Sequence, residues 1–323
     1  MATDKFVKKI SYKCVSAAGR DDIPVDVTHL QLSSKRDLLV EITDEMFPRL
    51  VYLSIKLSPY EDSALSSIRC SKLRGLKLKD ARTDYRAALT IDCPKLVSLE
   101  LWNCCANLKI ENSPVVEYAD FSDSYLHFCD EKHLADFFTR GNLKTFRNGF
   151  VGLVNMYTYD KFEGKATMSY REYENAMASK TFSCRGVKNL RTDMYRNNYA
   201  AKLHFPDVES LELDTGRFGN ASGEFADVDA SKIKSLCVLK NRRQDEQLPA
   251  DLLYDMSELE SLQVVKHDFL NVDVSRNPML KSVVLVGCGG PGIYGRDVPV
   301  TEVYLPRNGR SADAIMENNP QWV

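Results

Sequence analysis

The sequence is poor in the features that would announce a role. No stretch nears the ~18 consecutive apolar residues a membrane helix needs; the most apolar run, Ser282-Val-Val-Leu-Val286, has the length of one strand. The opening Met-Ala-Thr-Asp-Lys-Phe-Val-Lys-Lys has no apolar stretch and no cleavage site of the secretory kind. Neither sign of charge is in excess: 43 Lys and Arg face 45 Asp and Glu, a net −2 at pH 7. Dedicated nucleic-acid binders carry a basic surplus, so that class is disfavoured. The nine cysteines, at 14, 70, 93, 104, 105, 129, 184, 237 and 288, contain no Cys-x-x-Cys pair and no dense framework, which excludes a disulfide-stapled scaffold. They read as reduced and mostly buried small hydrophobes. A cytoplasmic location and no membrane partner are the expectation.

Chemistry-bearing motifs are equally scarce. There is no Gly-x-Ser-x-Gly elbow, no His-Glu-x-x-His and no Gly-Lys-Ser/Thr phosphate loop. The histidines at 29, 127, 133, 204 and 267 are dispersed. His127, Cys129 and His133 fall close together, but a tetrahedral zinc site needs a fourth ligand that the spacing does not supply. Gly287-Cys-Gly289-Gly-Pro-Gly292 formally matches a dinucleotide loop, yet Pro291 and Gly295 oppose the helix such a loop requires. No catalytic residue, metal or cofactor is expected, and the chain is read as a non-enzyme.

What the sequence does hold is a period. The pattern apolar-x-x-apolar-x-apolar occurs at Val27-Thr-His-Leu-Gln-Leu32, Leu50-Val-Tyr-Leu-Ser-Ile55, Leu73-Arg-Gly-Leu-Lys-Leu78 and Leu96-Val-Ser-Leu-Glu-Leu101, whose starts are 23 apart. It returns at Val116, Leu143, Val187, Val208, Ile233, Leu259, Leu280 and Val300. Serine holds one phase at Ser98, Ser210, Ser235, Ser261 and Ser282, and proline recurs just ahead of the motif at Pro48, Pro94, Pro114, Pro206, Pro278 and Pro299. In these residues, over roughly 27–305, the chain resembles the leucine-rich-repeat family. The Asn or Cys usual after the third apolar position is clear at Cys104 and Cys288.

That resemblance implies an α/β fold: a right-handed horseshoe solenoid with a concave parallel sheet and short helices or turns on its convex side. The expected plan is an N-terminal cap over 1–26, about 12–13 repeats over 27–305 with an irregular stretch at 121–186, and a C-terminal cap over 306–323. Helix starts are expected at the capping boxes Ser58-Pro-Tyr-Glu61 and Ser169-Tyr-Arg-Glu172, after Asp130, and at Pro249.

Residues between the inward positions should line the concave face. One column runs from Lys77 and Glu100 through Val284 to Tyr304, and the next holds Lys56, Lys79, Trp102, Leu239, Val265 and Val286. Tyr52 and Trp102 are the aromatic anchors of such a face, the residue types enriched at interface hot spots. The implied function is non-enzymatic: an adaptor, scaffold or effector that docks a partner protein along this surface. A substrate-recognition subunit of a ubiquitin ligase is compatible with the same repeats. A solenoid binding nucleic acid or another polyanion through Lys56, Lys77 and Lys79 is the reading from a different class. The apolar C-terminal end of the face, at Leu239, Val265, Val284, Val286 and Tyr304, is read in two ways: as a surface for self-association, or as one covered by residues 306–323, where Ile315, Met316 and Trp322 are available.

Overall fold

The computed structural model of the chain describes residues 10–14, 25–34, 41–57, 65–83, 87–113, 115–147, 150–153, 181–193, 202–214, 228–239, 253–266, 271–288 and 292–303. They fall into two compact units. The first comprises Met1–Val187 with Asn197–Phe205, the second Lys188–Arg196 with Pro206–Val323. Both are built almost wholly from parallel strands, so the repeating motif does generate a parallel β-solenoid.

In the first unit the motif strands are Ile10–Cys14, His29–Ser34, Tyr52–Lys56, Gly75–Lys79, Ser98–Trp102, Tyr118–Asp120 and Thr145–Arg147, and each pairs in parallel with the next. Register follows the motif. Leu53, Leu76, Leu99, Ala119 and Phe146 form one inward row, and Ile55, Leu78 and Leu101 form the next. All are buried, because strand side chains alternate with period 2 and one row cannot leave water without its neighbours. The segment read as an N-terminal cap thus adds a strand, Ile10–Cys14, to this sheet.

Between motif strands the sequence reading placed short helices or turns. The first unit instead forms a second parallel sheet there, from Glu41–Thr43, Ser67–Arg69, Ala88–Asp92, Cys105–Glu111, Tyr125–Phe128 and Phe150–Leu153. Ile42, Ile68, Ile91 and Ile110 stack in register through it. β-branched side chains suit a pleated, half-buried surface, which is why these short stretches extend rather than coil. Among the described residues the one α-helix is Glu131–Thr139, where expected after Asp130. The Asp130 carboxylate caps it by accepting the His133 N–H at 2.9 Å. Its Phe138 is buried edge-on to Phe146, with ring centroids 5.2 Å apart. The helix starts expected at Ser58, Ser169 and Pro249 lie outside the described residues.

The second unit repeats the motif strands as Asn189–Asp193, Ser210–Asp214, Ser235–Leu239, Ser261–Val265, Ser282–Val286 and Val300–Val303. Its serines align directly: Ser210, Ser235, Ser261 and Ser282 open successive strands in register, and Ser261 Oγ–H donates to Ser235 Oγ at 3.0 Å. The final strand departs from the sequence reading. Val300 pairs with Val283, Thr301 with Val284 and Val303 with Val286. The motif there is displaced by three residues, so Thr301 takes the column position assigned to Tyr304, which lies outside the described residues.

Two small ladders pin the coils. A left-handed residue follows the motif strand at Asp80, Asn103, Asp123, Lys266 and Gly287, with φ between 41° and 62° in every case but never at a β-branched side chain. One residue later a small donor turns inward. Cys104 Sγ–H reaches Leu78 O at 3.7 Å, Ser124 Oγ–H reaches Leu101 O at 2.6 Å, and Cys288 Sγ–H reaches Val264 O at 3.4 Å. Each donates to a backbone carbonyl of the preceding coil and so ties neighbouring coils together.

Candidate functional site

The outer face of the motif sheet, opposite the core, carries the residues singled out in the sequence. In the first unit Tyr52, Lys77, Lys79, Glu100 and Trp102 are half-buried and Lys56 is exposed. The sheet brings most of them into one interlocked group. Lys77 Nζ lies 2.7 Å from Glu100 Oε2 and 3.6 Å from the centroid of the Trp102 ring, so one ammonium serves an ion pair and a cation–π contact together. Tyr52 stacks on His29 of the preceding strand at 6.1 Å between centroids. Its ring also covers Gly75, where an added Cβ would sit 2.6 Å from Tyr52 Cδ2. Burial first, and then the nearby Glu100 charge, hold the Tyr52 phenol above its ordinary pKa. The Trp102 indole N–H is shielded from solvent and meets no acceptor.

A second polar group adjoins it, and sequence reasoning did not single it out. Asp120 is 1% exposed on the outer face. Its carboxylate accepts the Ser122 N–H at 3.0 Å, the Ser122 Oγ–H at 2.6 Å and the Tyr118 O–H at 3.3 Å, with Arg147 Nη1 at 3.6 Å. A buried carboxylate survives only with such a set of donors. Burial and then the Asp120 charge push the Tyr118 phenol up to about 12. The usable signal was the charge order in one column, where Lys77, Glu100, Asp120 and Arg147 occupy consecutive strands.

The apolar residues of the second unit meet, but not as an open patch. Leu239, Val265 and Val286 are 7%, 1% and 1% exposed, and Cys237, Val284 and Val303 pack against them. Of the two readings of this stripe, an open interface or a covered surface, the burial of Leu239, Val265 and Val286 agrees with the covered one, while Cys237, Val284 and Val303 remain partly buried. Val303, missed because of the three-residue displacement, pairs with Val286 and packs against this cluster.

Burial pushes the thiols of Cys70, Cys93, Cys104 and Cys237 up to about 12, which suppresses the thiolate that nucleophilic chemistry uses. His127 is pushed down by burial, and His133 Nδ1 bonds to Asp130 Oδ2 at 2.7 Å. Among the described residues no three His, Cys, Asp or Glu side chains converge as metal ligands would. After the glycines at 287–292 comes a strand, Gly292–Tyr294, where a dinucleotide loop would need a helix. Also among the described residues, no helix is long and apolar enough to cross a membrane. No family model matches the chain, and no curated protein matches it.

Proposed function

We propose that the chain is a non-enzymatic binding module of the leucine-rich-repeat type, which docks a partner protein on the outer face of the motif sheet in its first unit. The observation that carries this reading is the Tyr52–Lys77–Glu100–Trp102 group. Lys77 there joins Glu100 and the Trp102 ring, and Tyr52 lies over Gly75 on the same sheet, with Tyr52, Lys77, Glu100 and Trp102 each still partly in contact with solvent. Aromatic anchors already held in one rotamer lose little entropy on binding, and a half-buried ion pair beside them orients the partner. The donors at Cys104, Ser124 and Cys288 support the leucine-rich-repeat assignment, since they occupy the position where that family usually places Asn or Cys.

Affinity capture from the native cell, followed by reconstitution with the purified captured protein, tests the reading. Trp102→Ala and Tyr52→Ala should each weaken that binary complex at least tenfold, while Thr90→Ala on the second sheet leaves it unchanged. A complex that tolerates both outer-face variants, in chains whose melting temperature is retained, would remove the first unit's face from consideration.

A further inference from the structure

On the outer face of the first unit, charges on neighbouring strands are compensated with one exception. Lys77 has Glu100 at 2.7 Å, and Asp120 has Arg147 at 3.6 Å. Glu100 and Asp120 stand in register with each other, yet each keeps a cation of its own. Lys56 and Lys79 also stand directly in register, on strands Tyr52–Lys56 and Gly75–Lys79, and neither meets a carboxylate among the described residues. The acid next in sequence, Asp80, is buried and held by Asn103 Nδ2–H at 2.6 Å. Like charges directly opposite on adjacent strands, ~4.8 Å apart, destabilise a sheet. The chain therefore carries an uncompensated pair of ammonium groups, beside the Trp102 ring that continues their column.

We propose that Lys56 and Lys79 form the recognition point for an acidic segment of a partner protein, whose carboxylates neutralise the two ammonium groups while its apolar side chains rest against Trp102. This rests on the reading of the face as a protein-docking surface and names the chemistry of the partner. A folded or extended protein segment fits better than a nucleic acid. Nucleic-acid binders draw their affinity from several phosphate contacts along a track, whereas among the described residues of these columns two cations lack a carboxylate, and the next column presents Glu100 and the charge of Asp120 to any phosphate that follows. Two carboxylates a residue or two apart in an acidic segment match two lysines on adjacent strands without meeting that opposing charge.

The probe is a fluorescein-labelled decamer of L-glutamate, titrated into the full chain at low ionic strength and followed by anisotropy, with a lysine decamer and a ten-nucleotide thymidine strand in parallel. The glutamate decamer should bind, lose affinity steeply between about 50 and about 200 mM salt, over which the Debye length roughly halves, and raise the melting temperature. The double variant Lys56→Gln with Lys79→Gln should bind it at least tenfold more weakly while melting no lower than the parent, since it removes a repulsion. Equal binding by parent and double variant, or no binding by either, overturns the proposal. Tighter binding of the thymidine strand, lost in the same variant, overturns the protein-segment assignment in favour of nucleic acid. If the reconstituted complex described above fails with Trp102→Ala but tolerates the lysine pair, the face docks a partner that is not acidic, and only this inference falls.

Discussion

At the scale of single residues, Gly75 shows how the outer face is assembled. Its position opens a motif strand where other repeats carry serine or tyrosine, and the reason is the ring of Tyr52 lying across it. A Cβ there would come within 2.6 Å of Tyr52 Cδ2, closer than carbon atoms approach, so the ring would have to leave its place over the sheet. Gly75→Ala should therefore cost about 1–3 kcal/mol, the usual penalty for overpacking. In a Tyr52→Ala background the same change should cost nearly nothing, because the obstructing ring is gone and alanine suits a strand better than glycine. Thermal or urea melts of the four-member cycle read this directly. Additive effects would show that the two residues are not coupled and that Tyr52 is free to move.

At the scale of elements, the second unit carries a column of alternating charge one residue after each motif start: Lys188, Glu209, Lys234, Glu260 and Lys281. Lys188 Nζ and Lys234 Nζ both reach Glu209, at 2.7 and 3.1 Å, and Lys281 Nζ reaches Glu260 at 2.6 Å. Hydrogen bonds from these lysines, and then their charges, hold the Glu209 and Glu260 carboxyls below the ordinary range. A depressed carboxyl contributes its stability above the unfolded value near 4.5 and loses it as pH falls through the folded one. Exposed pairs are individually weak, so the column acts mainly to reject a wrong pairing of coils. Glu209→Lys should lower the melting temperature at low salt by placing three like charges in a row. The deficit should shrink at high salt, and should narrow but persist as acid protonates the parent's carboxyl, because the parent then loses its ion pairs while the variant keeps its repulsion. A deficit insensitive to salt would point to backbone damage instead.

The same scale explains what was legible beforehand. The motif strands, their 23-residue spacing and the serine register could be read because three inward positions and one small outward position recur together in each copy. The second sheet could not be read in this way: strands such as Glu41–Thr43 and Ser67–Arg69 each bury little more than one isoleucine, and a single apolar residue defines no period. Only the column Ile42, Ile68, Ile91 and Ile110, compared across copies, signals it. The candidate site was legible in part. Column assignment placed Lys77, Glu100 and Trp102 side by side correctly, but it could not show that Val265 and Val286 are buried or that Asp120 has its own donors. Burial on an outward-facing position depends on what crosses over the strand, and strand periodicity carries no information about that.

At the scale of the whole molecule, the buried thiols set a limit on alkaline stability. Cys70, Cys93 and Cys104 in the first unit and Cys237 in the second are each pushed up to about 12 by burial, from an ordinary thiol value of 9.0. The folded chain keeps these protons and the unfolded chain releases them above about pH 9. Stability from this source is therefore complete below pH 9 and falls as pH rises towards 12. Each thiol contributes a slope of about 1.4 kcal/mol per pH unit over that interval, so several acting together exceed the margin by which ordinary domains are stable. The melting temperature should be level between pH 7 and 8.5 and drop steeply from pH 9 to 10. Cys93→Ala should reduce that slope in the first unit, at the cost of a small cavity. At pH 8, iodoacetamide should modify the exposed Cys105 well before the buried Cys70, Cys93 and Cys104. A flat melting temperature through pH 10, or equal alkylation of Cys105 and Cys93 in the folded chain, would show that these side chains are not held out of water, and that the inward rows on which both units depend are less closed than their register implies.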